Sequence, residues 1–311
     1  MAIDPRWPRA SDWLAGGHLP GASGVLGVVG LPVGIDAVTP GRCDLAPAAV
    51  RKRLARMSTY DLAADVDLRE LIARDFGDAP VAALPLAELF EPARNAVAAA
   101  LDGSEAALVL GGHDAITRPA CRAMGNDSGR LALLTFDAHF DLRELGGGLS
   151  NGNPVRALLA DGLPGRNVVQ LGLQPFANSR DYAEVARAAG STFMTVGNWR
   201  QRGIVATVTA MLDLLATRAD AIYVDCDLDV LDRCHVPGAP GARPGGLAPH
   251  ELFEALVACG RHRNVRALGL VEVDPTRDVA NLSTFAAASG ALAFASGVAQ
   301  RIRAARSELV R

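Results

Sequence analysis

Lysine is nearly absent. Of 311 residues only Lys52 carries an ammonium, although lysine and arginine together number 31. This excludes a GxxxxGK[ST] phosphate loop and leaves no Schiff-base lysine for a pocket. No GxSxG stretch is present, so a serine nucleophile elbow is excluded as well. The five cysteines, Cys43, Cys121, Cys226, Cys234 and Cys259, are scattered and odd in number. Without CxxC spacing they speak against a disulfide frame or a zinc knuckle and for reduced thiols in a cytoplasmic protein. No Ser/Pro-rich tract, charge block or repeat interrupts the chain. One domain over 1–311 is expected, with 1–22 as an irregular N-terminal extension. A net charge of -3 gives no reason to expect nucleic acid or an anionic membrane as partner. "MAIDPRWPRASDWLAGG" has no apolar core of the signal-peptide kind, and "GVLGVVGLPVG" is too short to span a bilayer.

What is present is a regular alternation. Short apolar runs at 24–31, 71–75, 106–110, 131–136, 167–173, 191–196, 221–225 and 266–271 are strand candidates. Most are continuous rather than alternating, as parallel strands buried on both faces require. Helical spacing of apolar residues marks 46–57, 86–101, 154–160, 181–189, 204–217, 249–259 and 282–303. A βαβα order predicts an α/β fold, a three-layer α/β/α sandwich on a mainly parallel sheet. In such sheets ligands sit beyond the carboxyl ends of the strands.

The unusual polar residues fall there. His113 and Asp114 follow "ALVLGG"; Asp137, His139 and Asp141 follow "LALLTF". Asp227 and Asp229 follow "AIYVDC", Glu272 follows "ALGLV", and Asn178 follows "VVQLGLQPFA". Alternate residues of an extended chain point the same way, so each DxHxD or DxD run can present one acidic side. Several buried carboxylates at close quarters need protons or cations to offset their charge. An oxygen-rich set with one or two imidazoles and no thiolate suits a pair of manganese ions, with nickel or iron as alternatives.

"GGHDAIT", "TFDAHFDLR", "SNGNPV", "DCDLDVLDRCHVPGAPGARPGG" and "GLVEVDP" occur in this order. Together they resemble the ureohydrolase superfamily of arginase, agmatinase and formimidoylglutamase, over nearly the whole chain. The resemblance implies eight mainly parallel strands, two bridged Mn2+ ions and hydrolysis of a guanidine or formimidoyl C–N bond. It also implies a homo-oligomer, a trimer or hexamer. By position, Asp137, Asp141 and Asp227 would bridge or share the ions, and His139 and Asp229 would complete the second site. Glu272 would hold the substrate amidinium by paired charge-assisted hydrogen bonds. Asp141 would carry the proton of the attacking water to the leaving nitrogen.

Departures from the family pattern matter as much. The family reads Gly-Gly-Asp-His where this chain reads Gly111-Gly112-His113-Asp114. Three arrangements are open: Asp114 ligates the first ion, a backbone shift brings in His113, or the first site is impaired. Where arginases and agmatinases place a proton-shuttling histidine, this chain has Asn151, which can bind substrate but cannot relay a proton by titrating. "QPFANS" lacks the acids that read an arginine α-amino group, and Gly241 replaces a common threonine. These features place the chain nearest the formimidoylglutamase branch. Arg143 is then a candidate partner for a substrate carboxylate, against the alternative of a surface ion pair with Glu144, and Asn178 a candidate on the same rim. Three functions follow: a formimidoylglutamase-like hydrolase releasing formamide, an amidinohydrolase of a non-arginine guanidino compound releasing urea, and a non-catalytic relative.

Overall fold

The computed structural model of the protein describes residues 4 and 6–309. Each of the eight apolar runs forms a strand: β1 Val25–Leu31, β2 Ile72–Asp78, β3 Ala106–Gly111, β4 Leu131–Phe136, β5 Val168–Leu173, β6 Thr192–Thr195, β7 Ala221–Asp227 and β8 Val265–Val271. They pair in the order β2-β1-β3-β8-β7-β4-β5-β6, every pair parallel. β3, β4 and β5 are buried at every position, which is why their sequences are mostly apolar rather than alternating, Thr135 and Gln170 being the polar exceptions. A two-residue hairpin, Tyr60–Asp61 with Val66–Asp67, lies outside this sheet.

Helices cover both faces. One core gathers side chains from α1 (Ala10–Leu14), α2 (Ala46–Leu54), α7 (Val196–Arg202), α8 (Ile204–Ala216), α9 (Pro249–Arg261) and α10 (Leu282–Leu309). The other gathers them from α3 (Phe90–Leu101), α4 (Thr117–Arg122), α5 (Pro154–Ala160) and α6 (Arg180–Ala189). α10 is long and apolar enough to cross a membrane, but 72% of its most apolar window is buried inside the molecule. It is a core helix, and its small residues fit this: a Cβ on Gly297 would stand 2.3 Å from the carbonyl oxygen of Val257 in α9.

The departures from expectation are local. The stretch 1–22 is not wholly irregular among its described residues: α1 forms because Trp13 buries its ring and donates Nε1–H to the Leu71 carbonyl at 2.8 Å. The short helices α4, "TRPACR", and α7, "VGNWRQR", escaped the periodicity test because neither is long enough to show a stripe. The run 86–101 is divided, a 3-10 turn at Leu86–Glu88 leading into α3.

Candidate metal centre

The four central strands, β3, β8, β7 and β4, are neighbours in that order. Their carboxyl ends deliver Asp114, Glu272, Asp227 with Asp229, and Asp137 with His139 and Asp141. All of these acids are buried.

Two groups of side chains can each close around an ion: Asp137, His139 and Asp229, and Asp114, Asp137 and Asp225, with ligand atoms within 4.8 Å in each. Asp137 belongs to both. In the group with the imidazole, His139 Nδ1 lies 2.9 Å from Asp229 Oδ2 and 3.4 Å from Asp137 Oδ1. Backbone donors hold these acids in place: Asp137 Oδ1 accepts from the His139 N–H at 2.6 Å, Asp229 Oδ1 from Ala138 at 3.1 Å, and Asp227 Oδ1 from Asp229 at 2.7 Å.

The DxHxD run does not converge by simple alternation. β4 ends at Phe136, and 137–141 is a loop whose last residue, Asp141, has φ +52°. A β-carbon residue in the left-handed region is held there by its surroundings, at a cost of about 1–2 kcal/mol. Glu272, at φ +61°, shares this feature. Asn178 braces the loop: its Oδ1 accepts from Phe140 N–H and its Nδ2 donates to the Ala138 carbonyl, both at 2.9 Å. Asn178 lines the cavity, as expected, but these bonds commit both ends of its amide to positioning the loop.

Charge and burial oppose each other here. Burial pushes Asp114, Asp137, Asp141 and Asp227 above the usual carboxylate range, and neighbouring acids add to the rise. Burial, with Asp141 nearby, lifts Asp225 to about 7; burial, with Asp229 and Asp141, lifts Glu272 to about 7. Burial alone would depress His139, yet Asp229 and Asp137 together push it up to about 12. His139 in turn holds Asp229 below its usual value despite burial. A set of acids this destabilised by its own charge fits a centre built for cations.

Two observations test that fit. Both oxygens of Asp114 are buried without a hydrogen-bond partner, as a ligand awaiting a cation would be. Gly241 lets the proline-rich loop close over the His139–Asp229 group: a Cβ there would stand 2.1 Å from Asp229 Oδ2 and 3.0 Å from His139 Cε1. The residues fit a divalent pair.

His113 does not join them. Its Nε2 lies 2.7 Å from the Ile35 carbonyl and its Nδ1 accepts from the Ala115 N–H at 3.3 Å. These bonds define an Nε2–H tautomer with no lone pair left for an ion. The candidate ligand His113 is therefore corrected to a buried structural residue, and Asp114 is the member of the pair whose carboxylate stands among the acids. Asp225 was overlooked in the sequence because it lies inside the strand rather than after it. The signal was present in "VDCDLD", a third acid two residues earlier on the same face.

Above the acids lies a cavity of about 230 Å³ whose walls include Asp141, Asn151, Glu272 and Arg143. Glu272 Oε1 accepts from the Asp114 N–H at 2.8 Å and from Asn151 Nδ2 at 3.0 Å. Asn151 Oδ1 accepts from Val38 N–H at 2.8 Å, tying the carboxylate to the outer loop. Glu144 pairs with Arg156 at 2.9 Å, not with Arg143. Arg143 makes no ion pair among the described residues, and Arg233 and Arg243 line the same cavity.

An arginase family model matches residues 25–296. The formimidoylglutamase of Halalkalibacterium halodurans is 33% identical over 87% of this chain and 86% of its own length. The crystal structure of formimidoylglutamase from Bacillus subtilis superposes with a TM-score of 0.87 at 29% identity, covering 96% of this chain and 94% of that one. Trypanosoma cruzi formiminoglutamase, solved with Mn2+, superposes with a TM-score of 0.84 at 25% identity, over 95% of this chain and 99% of that one.

Proposed function

The chain belongs to the arginase family, and from that premise we propose a formimidoylglutamase-like hydrolase that cleaves the C–N bond of a formimidoyl amino acid and releases formamide. The observation that carries this reading is the polarity of the cavity. Glu272 at its floor suits an amidinium, and Arg143, Arg233 and Arg243 at its rim suit the carboxylates of an amino dicarboxylic acid. A substrate with a cationic tail would meet repulsion at that rim.

The roles follow from position. Asp137 would be shared by two divalent cations, manganese by the donor set, with Asp114 helping to hold one and His139 and Asp229 the other. Asp141 and Asp227 stand in the cavity wall beside them. When bound, such a pair supplies a water acidic enough to attack at neutral pH and offsets the carboxylate charge. Glu272 accepts the amidinium N–H groups and turns the planar carbon toward the floor, and Asn151 fixes the Glu272 carboxylate. Asp141 takes the proton of the attacking water at Oδ and returns it to the leaving amine, since Asn151 cannot titrate. Water adds to the formimidoyl carbon, its bond to the amino-acid nitrogen breaks, and formamide and the free amino acid leave.

Five unpaired cysteines, four of them buried, support a reducing, cytoplasmic setting. Assembly into a homo-oligomer belongs to the same reading, and gel filtration tests it.

The test is direct. The manganese-loaded chain is incubated with N-formimidoyl-glutamate and, separately, with a guanidino acid. Formamide from the first is the expected result. Urea from the second alone would move the activity to amidino hydrolysis, and neither product would overturn the enzyme reading.

A further inference from the structure

Asp225 is a fully buried acid to which the roles above give no work. It projects from the middle of the sheet, in register with Thr135 on β4 and Gly269 on β8. Tyr223, Asp225 and Asp227 alternate along β7 and share one face. Asp225 therefore sits one rung below Asp227, beneath the carboxyl ends rather than among them. Thr117, at the start of α4, donates its hydroxyl to Asp225 Oδ1 at 2.7 Å. That single neutral donor does not balance a carboxylate, and the other oxygen is left for the cluster.

The neighbour it meets there is Asp114. The family position that Asp114 fills is ordinarily an imidazole, which reaches further from the backbone than a carboxylate. An ion held by Asp114 must lie closer to the sheet, which is the direction in which Asp225 stands. Both Asp114 oxygens are buried and unpartnered, and Asp114, Asp137 and Asp225 bring ligand atoms within 4.8 Å of one another. A further buried orphan, the Tyr223 hydroxyl, lies on the same face below them.

We propose that Asp225 is a ligand of the first cation, replacing the imidazole this chain lacks. The centre then has two unlike sites that share Asp137: an all-oxygen site on Asp114, Asp137 and Asp225, and a site with a nitrogen ligand on Asp137, His139 and Asp229. An all-oxygen site takes hard cations, manganese or magnesium, in preference to zinc or nickel. This inference rests on the cation pair of the proposed function.

The experiment compares full-length wild type, Asp225→Asn and Asp225→Ser by titration calorimetry with Mn2+ and by elemental analysis after gel filtration. Circular dichroism checks the fold of each. Wild type should bind two ions per chain in two steps. Each variant should lose one step, or weaken it at least tenfold, and keep the other within threefold. Electron paramagnetic resonance should show a coupled manganese pair become an isolated ion. Asp114→His in the Asp225→Ser background should recover the second ion, a rescue that a merely structural Asp225 would not allow. Two ions in Asp225→Asn with both affinities within threefold of wild type would overturn the inference alone. A wild type that binds no ion would overturn the proposed function with it.

Discussion

The backbone N–H of Asp114 donates to Glu272 Oε1 over 2.8 Å, while the Asp114 side chain turns the other way and makes no hydrogen bond. One residue thus serves two parts of the centre. Its amide orients the group that would hold the substrate, and its carboxylate faces the acids that would hold an ion.

Glu272→Gln removes the charge that should pair with the amidinium and keeps the shape. We expect kcat/KM to fall by roughly a hundredfold or more, the order seen when a charge-assisted contact in a reaction centre is lost. Manganese content should stay at the wild-type level. Asn151→Ala, which only frees Glu272, should cost less, on the order of tenfold. Steady-state kinetics with elemental analysis checks both, and loss of an ion in Glu272→Gln would show that this carboxylate is a ligand instead.

His113 and Asp114 should separate cleanly. His113→Ala leaves the partly buried Ile35 carbonyl and the buried Ala115 N–H without their side-chain partner and should lower stability by about 1–3 kcal/mol, measured by urea unfolding, with ion binding unchanged. Asp114→Asn should leave stability near wild type in the absence of metal and abolish one binding step. The reverse pattern would return the histidine to the metal site.

The pH dependence of the metal-free chain has a definite sign. Asp225 and Glu272, whose ordinary values are 3.8 and 4.5, are lifted to about 7 in the folded state. As pH rises through that window the unfolded chain sheds these protons first, so stability falls, and the full loss is reached above about 7. His139, raised to about 12, contributes stability that is complete below its ordinary 6.5 and drains as pH rises toward 12. Asp229, lowered by His139, acts only at more acidic pH. The chelated protein should therefore melt at a higher temperature at pH 5.5 than at pH 8. Manganese at a thousandfold its dissociation constant should add about 4 kcal/mol and raise the melting temperature most at pH 8, because ligands must lose their protons to bind. Calorimetric melting across pH, with and without manganese, reads both effects.

Arg143 should act on binding rather than on chemistry. Arg143→Ala is expected to raise KM by roughly tenfold for a carboxylate-bearing substrate and to leave kcat within about twofold. Arg143→Lys should recover part of the loss, since an ammonium supplies charge but not the planar fork. An unchanged KM in Arg143→Ala would place the substrate carboxylates at Arg233 and Arg243 alone.

Much of this was readable along the chain. The strands could be placed from continuous apolar runs because a strand buried on both faces leaves few positions open to polar residues. Asp114, Asp137, Asp227 and Glu272 stood out because acids at the ends of such runs have no packing role. The 137–141 loop was harder: two-residue alternation suggests an extended chain, but Asp141 reaches the centre through a left-handed turn that Asn178, from a separate segment, helps to hold. α4 was missed for want of length, and with it the Thr117 hydroxyl that marks Asp225.

The sequence by itself determined a parallel α/β sandwich and a set of acids at its strand ends, because burial on both faces and the need to offset charge act within short stretches. Only the tertiary structure decided which side chain of the His113–Asp114 pair faces the acids and that Asp225 stands within reach of Asp114 and Asp137. It also decided that Asn151 reaches Glu272 across 121 positions of chain. Those choices depend on which strands become neighbours and on what each side chain meets there, and no local pattern carries that information.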